Sequence, residues 1–119
     1  MEIEFHEIEN AKIAEIISDE ILIHTAQDGL DLLGNLYYNG IEKLILHKKN
    51  LAPEFFDLKT GLAGEVLQKF ANYRMRLVIL GDFSDFNSKS LNDFIYESNQ
   101  GKLVNFLNSL ENAKFNLSR

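Results

Sequence analysis

The sequence predicts an α/β domain built on a mixed, mostly parallel sheet, and three observations carry that expectation. Leu44-Ile45-Leu46 and Leu77-Val78-Ile79-Leu80 are short, continuously apolar runs, as strands buried on both faces would be. Longer segments between them repeat apolar residues every three to four positions, the spacing of amphipathic helices. A β-type segment precedes them all. The resulting order is ββαβαβαβα, an N-terminal β-hairpin followed by β/α repeats with right-handed crossovers.

Ile3-Glu4-Phe5 and Ile13-Ala14-Glu15-Ile16-Ile17 supply the hairpin, with Glu9-Asn10 between them. The turn signal is weaker than Asn-Gly, because Ala11 follows Asn10 and tolerates positive φ poorly. Leu22-Ile23-His24 leads to a first helix capped by Thr25, with Asp28 in its first turn and Ala26, Leu30, Leu33 and Tyr37 on one face. Gly40 follows its end. The second helix is expected from about Thr60 to Tyr73, with an apolar stripe of Leu62, Val66, Phe70 and Tyr73. Ser88 or Ser90 caps a third helix carrying Leu91, Phe94 and Ile95, closed by Asn99 and Gly101 in left-handed conformation. Leu103-Val104-Asn105-Phe106 is the last strand, and Asn108 or Ser109 caps a final helix with Leu110, Ala113 and Leu117. Four helices wound in one direction would cover one sheet face and leave the other for self-association, as in a homodimer.

The 119 residues, 45% hydrophobic and 25% charged, suit one globular domain spanning residues 1–119. The single proline, Pro53, lies in a connecting segment, and no linker or repeat divides the chain. Without cysteine there are no disulfides, no thiol catalysis and no Cys-based metal sites. Met1-Glu2-Ile3-Glu4 is unlike a basic, then apolar, signal peptide, and no apolar run reaches the ~20 residues of a membrane span. A cytoplasmic protein away from the membrane is expected. The net charge of −6 and the scattered lysines argue against a grip on nucleic acid, which needs clustered cations.

Phe55-Phe56-Asp57-Leu58-Lys59-Thr60-Gly61-Leu62-Ala63-Gly64, placed between the second parallel strand and its helix, resembles the corresponding segment of the STAS domain, the family of sulfate transporters and anti-sigma-factor antagonists. The resemblance implies a STAS-like fold and a regulatory role. It sets Thr60 in the place of the phosphorylatable hydroxyl, with one residue more after Asp57 than that family has. Gln27-Asp28-Gly29-Leu30-Asp31-Leu32-Leu33, Phe55 to Tyr73, Gly81-Asp82-Phe83-Ser84 and Ser88-Lys89-Ser90-Leu91 through Glu97-Ser98-Asn99 are also similar to a bacterial family, domain of unknown function 4180. That second resemblance implies no activity.

In open α/β sheets, ligands gather beyond the carboxyl ends of the parallel strands, where helix N-termini present free N–H groups. Thr25, Gln27 and Asp28 stand at the first such position, Asp57, Lys59 and Thr60 at the second, and Asp82, Phe83, Ser84, Ser88 and Lys89 at the third. Each Ser, Thr and Asp here also makes a good helix cap, worth about 0.5–2 kcal/mol for that reason alone. A phosphate on Thr60 would add about −1.5 to −2 charge beside Asp57 at a helix N-terminus. His24, His47 and Asp82 would form a two-histidine, one-carboxylate metal site only by converging, and strand-end histidines are the simpler reading, so no metal is assigned.

No nucleophile with its base, phosphate cradle or paired carboxylates is recognisable, and Gly61-Leu62-Ala63-Gly64 lacks the spacing of a nucleotide-binding loop. No catalytic residue and no cofactor are therefore assigned. Phe55, Phe56, Phe83 and Phe86 crowd the connecting segments, where they either fold back on helix ends or form a patch for a partner. The expected function is a non-enzymatic regulatory module that recognises a protein partner through this rim. The alternative is a small-molecule site or enzyme using Asp82, Lys59 and Gln27.

Overall fold

Glu9 and Asn10 reverse the chain with φ of 49° and 71°. Both central residues being positive is the pattern of the two-residue turn whose twist matches paired strands. Ala11 thus escapes positive φ and starts the next strand. The turn joins β1 (Glu2–Ile8) to β2 (Ala11–Ile17) antiparallel, with His6 opposite Ile13 and Glu4 opposite Glu15. Left-handed backbone strains a side chain such as that of Glu9. The double change Glu9→Asn and Asn10→Gly is accordingly expected to raise stability by about 1 kcal/mol, read as a higher urea midpoint. An unchanged midpoint would show that the turn carries no strain.

The computed structural model describes all 119 residues, in the order β1 β2 α1 β3 α2 β4 α3 β5 α4. β3 (Lys43–His47), β4 (Arg76–Leu80) and β5 (Val104–Leu107) continue the sheet, each parallel to the strand before it, so five strands lie in simple sequence order. α1 (Ala26–Tyr38), α2 (Leu62–Asn72) and α3 (Lys89–Gln100) each connect two parallel neighbours. Crossovers of one hand stepping in one direction put all three on one face. The larger core lies there, with Leu33, Leu36, Val66 and Phe70 packed on Ile16, Leu44, Leu46, Leu77 and Ile79. No helix is long and apolar enough to cross a membrane.

α4 (Leu110–Leu117) corrects the expectation of single-face coverage. It lies on the opposite face, where Ala113 and Leu117 pack on Ile13, Ile45, Val78 and Leu80. The handedness rule binds only a helix that returns to a parallel strand, and no strand follows α4. Two cations from the sheet hold its end in place. Lys43 Nζ donates to the Leu117 carbonyl (2.6 Å) and Arg76 Nη2 to that of Asn116 (2.9 Å), favourable positions for positive charge at a helix C-terminus.

The caps Thr25, Ser88 and Ser109 each accept a backbone N–H from the first turn of their helix, as expected. Other local expectations shift. α1 buries Gly29, Leu33 and Leu36 rather than a stripe ending at Tyr37, which is exposed and meets Tyr73 edge-on at 5.1 Å. α2 begins at Leu62, because Leu58–Thr60 form a separate 3₁₀ turn that ends on Gly61 at φ 78°. Gly101 is extended at φ −98°, ψ −172°, not left-handed, and Asn99 remains inside α3. Phe55 folds back completely, with 1% of its surface exposed.

Candidate functional site

The register His47↔Leu80 between β3 and β4 carries Lys48 and Gly81 to adjacent places just beyond the two strand ends. A Cβ on Gly81 would lie 2.6 Å from Lys48 Cβ, so only glycine lets the lysine stem cross here. Lys48 Nζ then donates to the Asp82 carbonyl (2.6 Å) and to Asp85 (3.3 Å). Its ammonium stands 4.6 Å above the centre of the Phe86 ring and 5.7 Å from that of Phe83, cation–π distances.

Phe56, brought by the 3₁₀ turn Pro53–Phe56, stacks on Phe86 at 5.1 Å and meets Phe83 at 6.1 Å. Phe83 in turn packs edge-on against Phe106 of β5 at 5.5 Å. The loops after β3 and β4 are thus joined by aromatic side chains, all three half-buried. Beside them lies a depression of about 370 Å³ lined by Lys48, Lys49, Leu51, Pro53, Phe56 and Phe86.

The polar residues expected to converge on this rim mostly serve their own loops. Asp82 accepts both the Ser84 N–H (2.9 Å) and its hydroxyl (2.6 Å). These bonds, with Lys48 nearby, hold the carboxyl below its ordinary range. Asp57 accepts the Lys59 N–H, and the Lys59 ammonium makes no hydrogen bond. Thr60 Oγ1 donates towards the carbonyls of Glu54 (2.7 Å) and Asp57 (2.9 Å) and accepts from Leu62 N–H (3.2 Å). It pins the start of α2. Ser88 caps α3, its hydroxyl 3.1 Å from that of Ser90. Gln27 bonds Asp31 one turn on, and Asp28 accepts the His24 N–H, which keeps its carboxyl low. His24 also faces Asp28 at 3.6 Å, so it does not join His47 or Asp82.

A second polar cluster lies on the α4 face. Glu15, 5% exposed in the middle of β2, receives His6 Nε2 on Oε1 (2.8 Å) and His47 Nε2 on Oε2 (2.7 Å). Burial pushes its carboxyl pKa up, but the two imidazole bonds and their charge outweigh that and leave it lowered. Because each imidazole takes a different oxygen, the three groups are paired in a line rather than gathered around one point. The signal was in the sequence: Glu15 is the one charged residue within Ile13–Ile17, on the same strand face as Ile13.

No curated protein and no solved structure matches the chain. A family model does, over residues 8–117, a span that includes the rim, Glu15, His47 and all four helices but not His6. The chain therefore belongs to the family described as Domain of unknown function (DUF4180).

Proposed function

We propose that this domain is a non-enzymatic regulatory module, STAS-like in design, that docks an acidic, apolar segment of a protein partner on the rim around Lys48. One observation carries the reading: a lysine held over two phenylalanine rings borders an apolar depression, on a chain whose net charge is −6. A cationic, aromatic shelf attracts carboxylates and can bury an apolar anchor between them. Lys59, whose ammonium makes no hydrogen bond, adds positive charge to a loop of the same end, while Lys49 is paired with Asp19 at 2.8 Å across exposed surface. Phosphate on Thr60 would act through the same region by breaking its two carbonyl bonds and loosening the start of α2.

Selection of displayed peptides on the purified chain tests this. The expected winners combine Asp or Glu with Phe, Leu or Trp, bind more weakly as salt rises, and lose about tenfold or more in affinity with Lys49→Glu or Phe86→Ala. Winners without acidic residues, or winners indifferent to both substitutions, would sink the reading. The size of the depression also favours a second one, a small anionic aromatic ligand. A thermal shift with such a compound, removed by Phe86→Ala, would support that instead.

A further inference from the structure

The two outer edges of the sheet are finished differently. On β5 the outward main-chain groups are occupied by side chains of α3. Ser98 Oγ donates to the Val104 carbonyl (2.5 Å), while the Asn99 amide donates to the Phe106 carbonyl (3.1 Å) and accepts the Phe106 N–H (2.7 Å). Asn99 thereby does what a neighbouring strand would do. On β1 nothing comparable occurs, and β2 is the only segment that bonds its main chain. An open edge is a template for a further strand, and proteins ordinarily block it. This chain blocks one edge and leaves the other free along seven residues.

We propose that β1 pairs antiparallel with β1 of a second copy, about a two-fold axis through Phe5, so that one sheet runs through both chains. Such an axis stands perpendicular to the sheet, so every residue stays on its own face and only pairings in steps of two are allowed. Centred on Phe5, the pairing uses the whole strand: Phe5 meets the partner's Phe5, Ile3 the partner's Glu7, and Glu2 the partner's Ile8. Glu4 then meets the partner's His6, twice by symmetry. That pair is opposite in character, and His6 has a ring nitrogen, Nδ1, that bonds nothing within its own chain.

Neighbouring registers are worse. An axis at Glu4 sets that carboxylate against itself, and one at Ile3 sets Glu2 against the partner's Glu4 twice. An axis at His6 opposes two imidazoles and leaves Glu2 beyond the partner's strand. Like charges directly opposite destabilise a pair of strands, so the charge pattern selects the central register. Apolar surface supports the same choice. Phe5 and Ile3, 49% and 37% exposed, stand opposite Ala14 and Ile16 on the sheet face of the larger core, at its uncovered edge, and at the axis the two Phe5 rings cover each other. This contact is separate from the rim at the strand ends, so either can hold without the other.

Sedimentation of the full chain across a wide concentration range is the test. The expected result is a reversible dimer whose dissociation constant rises about tenfold or more with Phe5→Glu. Cross-linking tests the register independently of that variant's folding, because the chain has no cysteine of its own. Phe5→Cys should form a disulfide dimer on oxidation, since cross-strand partners lie about 4.5–5.5 Å apart. Ile3→Cys and Glu7→Cys should cross-link when mixed and not alone. A chain monomeric at every concentration would overturn the proposal. So would a dimer in which Ile3→Cys links to itself, or one indifferent to Phe5→Glu that Phe5→Cys fails to trap.

Discussion

Replacing Glu15 with alanine is expected to lower the unfolding free energy by about 2–4 kcal/mol at pH 7. The loss comes less from the carboxylate's own bonds than from what is left behind. His6 and His47 both direct Nε2 at Glu15, His6 is nearly as buried as the carboxylate, and no other hydrogen bond engages either ring. Removing the shared partner leaves two part-buried polar groups unpaired at once. Glu4, opposite Glu15 in the hairpin register, is exposed on the edge strand and separated from His47 by the whole of β2, so it is a poor substitute.

Acid titration separates lost bonding from lost packing. Glu15 has a folded pKa below its ordinary value of 4.5, which means that the folded state favours the ionised form. Its contribution is complete above that ordinary value and disappears as pH falls through the lower, folded one. The difference between wild type and Glu15→Ala, measured by urea unfolding, should therefore shrink as pH falls below 4.5. A deficit unchanged down to acid pH would mean that the alanine merely leaves a cavity, and the carboxylate would lose its assigned role.

Why was this cluster hard to read from the chain, when most of the fold was not? β3 and β4 were legible because continuous apolar runs flanked by helical periods have few other interpretations, and Thr25, Ser88 and Ser109 because a cap needs only local chemistry. The Glu15 cluster depends on two registers at once: the hairpin turn sets His6 diagonal to Glu15, and the parallel pairing Glu15↔Ile45 sets His47 diagonal on the other side. A shift of one residue in either would send a histidine to the opposite face. At the rim, Asp82, Ser84 and Thr60 stand at loop starts, and their bonds are local. Lys48 comes to the centre because Gly81, just past the end of β4, has no side chain, a relation visible only once the β3–β4 register is known. The face chosen by α4 was beyond any local signal.

Asn50 shows the same dependence and carries the other large expected effect. Its side chain is fully buried at 0% exposure, and every polar atom is used: Oδ1 accepts the His47 N–H (3.1 Å), while Nδ2 donates to the carbonyls of Ser18 and Glu20 (both 2.9 Å). Its own carbonyl accepts from Leu22 and Ile23, so one residue ties the segment leaving β2 to the turn leaving β3. Asn50→Ala should cost about 2–4 kcal/mol, because a buried N–H loses its acceptor while the two loop carbonyls regain water only in part. Asn50→Asp is the sharper probe. The aspartate still accepts from His47 but turns an oxygen towards two carbonyl oxygens, so at pH 7 it should be at least as damaging as alanine. Once the acid is protonated, below about pH 4, it can donate to one carbonyl, and part of the loss should return. The buried site disfavours the charged form, so the aspartate's folded pKa is raised and the penalty grows as pH rises. Equal stability of Asn50→Asp and wild type at pH 7 would show that the donor side of Asn50 is dispensable, and that the path from β2 to α1 is held by its backbone alone.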